Sequence, residues 1–232
     1  MSKIDRLISE QVHSWSIRDA RAKEKKELRG DWPAITISRE FGAKGRSLAK
    51  ALNKRVGFKV WDKELLSAIA DEAGADEKFL ASLDERRRKV IEDTLMGSFM
   101  GSKLSNAHYL RSLNRVVQTI SAHGKAIIVG RGANFIIKSP DVLRIRLVCP
   151  LELRIPRIAE QEGISEKEAK KLILTRDKER EDFIRLSFKK EAGKAQEFDL
   201  IINTGPFDIS SLTDLVLLAY EKKIGKSIPV HA

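Results

Sequence analysis

The chain has 232 residues, of which 42% are hydrophobic and 33% are charged, so it can form one sizeable α/β domain with a densely ionic surface. The formal net charge of +11 indicates phosphorylated or acidic partners, but basic and acidic residues alternate, which argues against a dedicated nucleic-acid surface. No stretch reaches a membrane span, the single Cys149 excludes an intrachain disulfide, and the first residues lack an apolar signal core, so we expect a cytoplasmic protein.

Residues 1–31 precede the first predicted strand and are predicted to be an N-terminal amphipathic helical extension. Ile4, Leu7, Ile8, Val12 and Trp15 fall on one helical face. We expect this face to pack on the core or on a second subunit, which leaves a homo-oligomer through this helix open. Binding to a membrane is disfavoured, because the polar face carries both signs of charge.

Short apolar strands alternate with longer helical patterns over residues 32–232. This alternation is typical of a parallel sheet that is covered by helices on both faces, and it favours a doubly wound α/β core. The five predicted strands are residues 34–37, 58–61, 126–129, 143–148 and 200–202.

Two long segments between the strands have helical patterns. Residues 62–123 hold no strong strand and are too long for a simple crossover, so we predict an inserted helical subdomain there. Residues 151–194 are also helical and are rich in both signs of charge. The core domain is therefore predicted to carry two helical appendages.

A first candidate phosphate site follows the first strand, where residues 35–47 read ITISREFGAKGRS. A strand enters a loop with glycines, and a helix is predicted to begin near Gly45. Glycines let backbone N–H groups approach a phosphate, and a helix N-terminus supplies unpaired donors with partial positive charge. Lys44 and Arg46 add formal charge, and Ser47 offers a hydroxyl for a metal ion.

The same loop departs from the Walker A pattern G-x-x-x-x-G-K-[ST], which would have glycine at Arg39 and lysine at Gly45. Taken alone, it is therefore also compatible with an ordinary strand-to-helix turn that carries a few basic residues. If the loop binds phosphate, Lys44 or Arg46 could supply the charge of the missing lysine. Arg39 could contact phosphate as well, or it could fill the pocket.

A second glycine turn follows the third strand, where residues 127–134 read IIVGRGAN. Ligands of open parallel sheets bind outside the carboxyl ends of the strands, and Arg131 would emerge at that edge. A guanidinium there suits a phosphate, which it binds with two hydrogen bonds, and a structural ion pair is the alternative. Asp62 closes the second strand at the same edge.

A third basic cluster lies in residues 175–180, which read TRDKER. Arg176 and Arg180 are four residues apart, so on a helix they share a face and could hold a polyphosphate. Asp177 lies beside them and could orient one of them. The alternative is a solvated helix with ion pairs between residues four apart.

The order of these motifs resembles the cytidylate-kinase-like family, which are relatives of bacterial cytidylate kinase among the P-loop nucleoside monophosphate kinases. The resemblance covers roughly residues 34–223. It implies a P-loop kinase fold in which residues 62–123 bind the acceptor and residues 151–194 form a lid. The motifs that carry it are residues 35–47, 61–65, 129–134 and 176–180.

The resemblance also implies a role for each residue of the site. ATP and its phosphates would be bound by Arg39, Gly42, Ala43, Lys44, Gly45, Arg46, Ser47, Arg154 and Arg157. The acceptor monophosphate would be bound by Asp62, Arg131 and Asp177. Phosphoryl transfer would depend on Lys44, Arg46, Arg176 and Arg180, with Ser47 on the magnesium ion.

These roles favour ATP- and Mg²⁺-dependent phosphoryl transfer to a nucleoside monophosphate, with CMP or dCMP as the expected acceptor. Because Gly45 stands where the loop lysine is expected, a nucleotide-binding sensor of the same fold that transfers no phosphate is the alternative. A kinase of another small phosphorylated acceptor is a third interpretation. Base recognition would lie in the helical insert, and no base-recognition motif is apparent in the sequence of that insert.

Overall fold

The computed structural model describes residues 2–24, 32–72, 74–98 and 104–229. These residues form two compact units, which are residues 1–34 with 61–126 and residues 35–60 with 127–232. The first unit is helical, and the second contains the sheet and the helices that cover it.

Five strands form one sheet, in the order β2-β3-β1-β4-β5. The strands are β1 Ile35–Arg39, β2 Lys59–Trp61, β3 Ala126–Val129, β4 Leu143–Val148 and β5 Leu200–Asn203. Strand β1 is central and pairs in parallel with β3 and β4, and β4 pairs in parallel with β5. The predicted strands and the doubly wound α/β fold of a P-loop kinase are thus confirmed, with small differences at the strand ends.

The helices are numbered along the chain. They are α1 Lys3–Glu24, α2 Gly45–Val56, α3 Lys63–Asp71, α4 Ala75–Ala81, α5 Glu85–Ser98, α6 Leu104–His123, α7 Ala133–Ile136, α8 Leu151–Glu162, α9 Glu166–Phe188 and α10 Ile209–Ile224. None of the helices in the described ranges has the length and apolarity that crossing a membrane would require.

The register of the central strands brings the candidate loops to one edge of the sheet. Ile37 of β1 lies beside Val129 of β3, and Arg39 lies beside Leu147 of β4. The N–H of Gly130 donates to the carbonyl of Ile37 at 3.0 Å, so the pairing continues one residue beyond β3. Because the strands are parallel, the loops that follow β1, β3 and β4 all leave the sheet at its carboxyl edge.

The core of the sheet unit follows from the apolar strands. Ile35 and Ile37 of β1 are fully buried, and α2 packs on β1 and α10 while burying Leu48 and Leu52. Helix α9 begins with a capping box in which Ser165 and Glu168 bond each other's backbone N–H groups. These local signals fix where the long helix of the predicted lid region begins.

The helical unit contains α1 together with α3, α4, α5 and α6. Trp15 of α1 is buried, stacks on His123 with ring centroids 4.0 Å apart and meets the edge of Phe79 at 5.1 Å. Helix α1 occupies Lys3–Glu24 of the predicted N-terminal extension, and residues 25–31 lie outside the described residues.

The predicted inserted segment, residues 62–123, is helical wherever the structure describes it, as the sequence indicated. Helix α6 packs on α3, α4 and α5, and α1 packs on α3 and α4. The division of the chain after residue 31 and the acceptor-binding role of this segment stay predictions.

Candidate functional site

The loop after β1 turns sharply into the N-terminus of α2. Gly42 and Lys44 have positive φ angles of 83° and 60°, and Lys44 stands where the Walker A pattern has its second glycine. A left-handed conformation at a non-glycine residue costs about 1–3 kcal/mol and is concentrated at functional sites. The first N–H groups of α2, from Gly45 onward, have no acceptor within the helix, and a helix N-terminus of this kind favours an anion.

We call the loop after β1, which leads into α2, the first loop, and the glycine turn after β3 the second loop. The side chain of Arg39, the last residue of β1, extends from the first loop to the second. Its Cγ lies 2.9 Å from where a Cβ at Gly45 would be, and its Cζ lies 3.1 Å from where a Cβ at Gly130 would be. The methylene groups therefore lie over Gly45, and the guanidinium lies over Gly130. Neither glycine can carry a side chain while Arg39 has this conformation.

Phe41 fixes the first loop to helices α8 and α9. Its ring packs against the buried apolar cluster of α8 and α9, which is formed by Ile158, Ala169 and Ile173. Its N–H donates to Asp177 of α9 at 2.6 Å. None of the motifs predicted a role for Phe41, although an aromatic residue directly before a loop glycine indicates that the loop packs on an apolar surface.

Asp177 and Arg154 hold the backbone of this loop from both sides. The second carboxylate oxygen of Asp177 accepts from Nη1 of Arg154 at 2.5 Å, and the same Nη1 donates to the carbonyl of Phe41 at 3.1 Å. Arg154 is buried, and its Nη2 lies 3.8 Å from the carboxylate of Glu40. Since both oxygens of Asp177 bind protein groups, this structure shows Asp177 as a residue that positions the loop.

Two further arginines contact loop carbonyls, and one does not. Arg157 donates to Gly42 at 2.6 Å, and Arg180 donates to Arg39 at 3.0 Å. The guanidinium carbon of Arg180 also lies 5.4 Å from the centroid of the Phe41 ring. Arg176 is exposed and pairs with Glu179 at 2.9 Å, because the inward face of α9 follows Ile173, Asp177, Arg180 and Ile184.

The basic residues at the start of α2 differ in their surroundings. The ammonium of Lys44 donates to the carbonyls of Thr204 and Phe207, at 2.9 and 2.5 Å. Burial lowers the pKa of Lys44, and the nearby Arg157 guanidinium lowers this pKa further. Arg46 and Ser47 are exposed on the first turn of α2.

The second loop, after β3, is covered by the C-terminal half of α9. Arg131 has a positive φ of 51°, and its guanidinium carbon lies 5.0 Å from the centroid of the Phe183 ring. Phe188 lies against Gly132, where an added Cβ would be 2.7 Å from the ring Cζ. Helix α9 therefore contacts the first loop through Asp177 and Arg180 and the second loop through its aromatic residues.

We expect Gly132→Ala to lower the free energy of unfolding more than Gly163→Ala does, by about 1–3 kcal/mol, the usual cost of overpacking. Both glycines have positive φ, 68° and 66°, so both variants carry similar backbone strain. A Cβ at 163 meets nothing within 4 Å, whereas one at 132 meets the ring of Phe188. Urea denaturation of the two variants measures this difference, and equal losses would contradict the packing of α9 on this loop.

Asp62 lies in the helical unit, at the start of α3. Its carboxylate accepts the N–H of Leu65 at 2.9 Å, so it is the N-cap of that helix. An N-cap contributes about 0.5–2 kcal/mol, which gives Asp62 a structural role beside the predicted one. Its contact with an acceptor phosphate stays a prediction.

Comparison with known proteins gives a family for the chain. A family model described as the cytidylate kinase-like family matches residues 34–206. A cytidylate kinase of Methanopyrus kandleri is 29% identical over 194 residues, which are 79% of this chain and 82% of that protein. The resemblance inferred from the motifs is thus confirmed.

Two other similarities carry less information. A uronate isomerase of Corynebacterium glutamicum is 26% identical over 127 residues, but the match spans only 24% of that protein and 55% of this chain. A solved structure of an uncharacterized protein from Eubacterium ventriosum has a TM-score of 0.66 and 22% identity, over 82% of this chain and 98% of that one. At that level of identity the second similarity concerns the fold alone.

Proposed function

Because the chain belongs to the cytidylate kinase-like family, we propose that it transfers the γ-phosphoryl group of ATP to a nucleoside monophosphate, with CMP or dCMP as the favoured acceptor. Family and fold support a kinase that acts on a nucleotide or another small molecule. The choice of a cytidine nucleotide rests on the names of distant relatives and on the order of the motifs.

One observation carries this proposal: a single helix, α9, contacts both glycine loops at the carboxyl edge of the sheet. Arg180 lies on the first loop, and Phe183 lies on Arg131 of the second. A donor phosphate on the first loop and an acceptor phosphate on the second would therefore be joined by one rigid element. In-line phosphoryl transfer needs this kind of shared positioning more than it needs a nucleophile or a general base.

The proposed donor site is the first loop, residues 42–47, together with Arg39, Arg154 and Arg157. The helix N-terminus and the surrounding guanidiniums match the chemistry of a polyphosphate. Arg154 and Arg157 act indirectly in this arrangement, because they hold the loop by the carbonyls of Phe41 and Gly42.

The proposed acceptor site contains Arg131, with Asp62 as a further predicted contact. Asp177 was also predicted there, but its two carboxylate oxygens bind Phe41 and Arg154, so its proposed role is to position the first loop. The guanidinium of Arg131 lies over the Phe183 ring, and a guanidinium is suited to a bidentate bond to phosphate. We also propose that residues 62–123 take part in binding the acceptor.

Phosphoryl transfer is proposed to depend on Arg180, Arg176, Lys44 and Arg46. The inward position of Arg180 favours it over the exposed Arg176, whose side chain pairs with Glu179. Lys44 acts mainly on the loop conformation, because its ammonium binds two carbonyl oxygens. Charge that builds on the transferring group is stabilised most by donors that are already in place.

The residues at the start of α2 also fit a magnesium ion that is bound largely by substrate phosphates. Mg²⁺ prefers oxygen ligands and usually keeps several waters, and Ser47 supplies the exposed hydroxyl of the first turn of α2. A bound ion would supply positive charge that neutralises the phosphate oxygens. This chain would hold the ion through Ser47 and the ATP itself through the first loop.

A second candidate is a sensor that binds nucleotide without transferring phosphate. Gly45 in place of lysine favours it, as does the attachment of the Lys44 ammonium to Thr204 and Phe207. A kinase of another small phosphorylated acceptor is a third candidate, because the helical segment 62–123 has no recognisable base-binding code.

We expect a coupled assay with ATP, Mg²⁺ and a panel of monophosphates to give the fastest turnover with CMP or dCMP. Omitting Mg²⁺ should abolish turnover, because phosphoryl transfer needs the charge of the ion. The panel should also contain phosphorylated sugars, which would reveal the third candidate. Binding of nucleotide by calorimetry without turnover of any acceptor would establish the sensor instead.

A further inference from the structure

We propose that Arg39 replaces the lysine that the first loop lacks, and that its guanidinium binds the phosphoryl group that is transferred. The inference rests on the proposed function, which it deepens by naming one residue that contacts the reacting group. The side chain of Arg39 lies across the two loops.

The side chain of Arg39 and a side chain at position 45 compete for one volume. A Cβ at Gly45 would lie 2.9 Å from Cγ of Arg39, 3.3 Å from its Cβ and 3.5 Å from its Cδ. A lysine at 45 would therefore begin in the space that the methylene groups of Arg39 fill. With arginine at 39 and glycine at 45, the positive charge in this space comes from the side chain of residue 39 and not from that of residue 45.

The guanidinium of Arg39 lies beside Gly130. The position of a Cβ at Gly130 would be 3.1 Å from Cζ and 3.5 Å from Nη2 of Arg39, and closer still to Nη1. The guanidinium thus lies against the backbone of the second loop, one residue before Arg131. A group in this position can reach a phosphate on the first loop and a phosphate on the second loop. The transferring phosphoryl group would lie between these two phosphates.

The other basic residues of the loop are less suitable for this role. The ammonium of Lys44 already binds the carbonyls of Thr204 and Phe207, and Arg46 is exposed on α2. The backbone of Arg39 is held, because its carbonyl accepts from Arg180 at 3.0 Å. A planar guanidinium suits bidentate binding of phosphate, and because the strand end is fixed, little backbone freedom is lost on binding.

The first test compares Arg39→Met with Arg55→Met, which removes an exposed arginine from the last turn of α2, where it pairs with Asp214 at 3.1 Å. Calorimetry with Mg²⁺ and ATP, ADP or AMP measures binding, and steady-state kinetics measure turnover. We expect Arg39→Met to weaken ATP binding about 10–150-fold, the range for a charged hydrogen bond, and to weaken AMP binding much less. Turnover should fall by about 10²-fold, as for one oxyanion donor, while Arg55→Met changes neither quantity.

The second test exchanges the two positions. Gly45→Lys alone should lower the melting temperature and gain no affinity, because its side chain meets Arg39. Arg39→Gly alone should lose ATP affinity as Arg39→Met does. The double variant Arg39→Gly with Gly45→Lys should recover most of the affinity that Arg39→Gly loses, because lysine can then occupy the vacated space.

The outcomes separate the two proposals. A protein that binds ATP but transfers no phosphate refutes the proposed function, and the binding measurements still decide the role of Arg39. Wild-type turnover with an equally active, equally stable Arg39→Met refutes the role of Arg39 alone. A double variant that binds ATP no better than Arg39→Gly also refutes the role of Arg39. This result decides the question even if Arg39→Met melts at a lower temperature than wild type. A wild-type protein that binds no ATP refutes both.

Discussion

Arg180→Ala is expected to lower kcat on the best monophosphate by about 10²–10³-fold, which is the usual cost of removing one donor that stabilises charge in the transition state. Arg180 lies on the inward face of α9, donates to the carbonyl of Arg39 and covers the ring of Phe41. Charge builds on the phosphoryl group mainly in the transition state, so KM should change far less than kcat.

Steady-state kinetics of wild type and variant, with thermal melts of both, test this expectation. Arg185→Ala is the matched control, because Arg185 lies on the same helix, is exposed and pairs with Asp182, three residues before it, at 2.7 Å. Arg176→Ala should have a smaller effect than Arg180→Ala, since Arg176 is exposed. If Arg180→Ala raises KM as strongly as it lowers kcat, the residue contributes uniform binding and the proposed role is wrong.

Arg131→Ala is expected to weaken monophosphate binding by about 1.5–3 kcal/mol, the range for a hydrogen bond to a charged group, while ATP binding stays close to that of wild type. Arg131 follows the strand β3, and its guanidinium is held over the ring of Phe183 on α9. This contact restricts the side chain before the ligand arrives, so little conformational entropy is lost when a phosphate binds.

Lys189→Ala is the matched control for Arg131→Ala. Both residues are basic and both have positive φ, 55° for Lys189 and 51° for Arg131, so both alanines carry similar strain and remove one charge. Lys189 is exposed at the C-terminal end of α9. Calorimetric titrations with CMP and with ATP measure both affinities. Equal losses for the two nucleotides, or a lowered melting temperature for Arg131→Ala alone, would assign Arg131 to structure.

The amino-acid pattern alone predicted the five strands, the helical character of the segments between them and the glycine turns after β1 and β3. These features depend on short-range causes. A run such as Ala126–Val129 is apolar throughout because both of its faces are covered, and Gly42 and Gly130 stand where the backbone adopts positive φ. The family followed from the order of such local motifs, so it too could be inferred without coordinates.

The contacts of the charged side chains in these motifs depend on the folded chain and could not be predicted from the pattern. The bond between the N–H of Phe41 and Asp177 joins residues 136 positions apart, and the one from Lys44 to Thr204 joins residues 160 apart. The sequence placed Arg176 and Arg180 on one helical face, but the packing of Ile173 and Ile184 rotates α9 so that Asp177 and Arg180 face the loop. Long basic side chains have many rotamers of similar energy, so their direction is set by the neighbours that the fold supplies. For the same reason the sequence could not show that the side chain of Arg39 crosses Gly45 and Gly130.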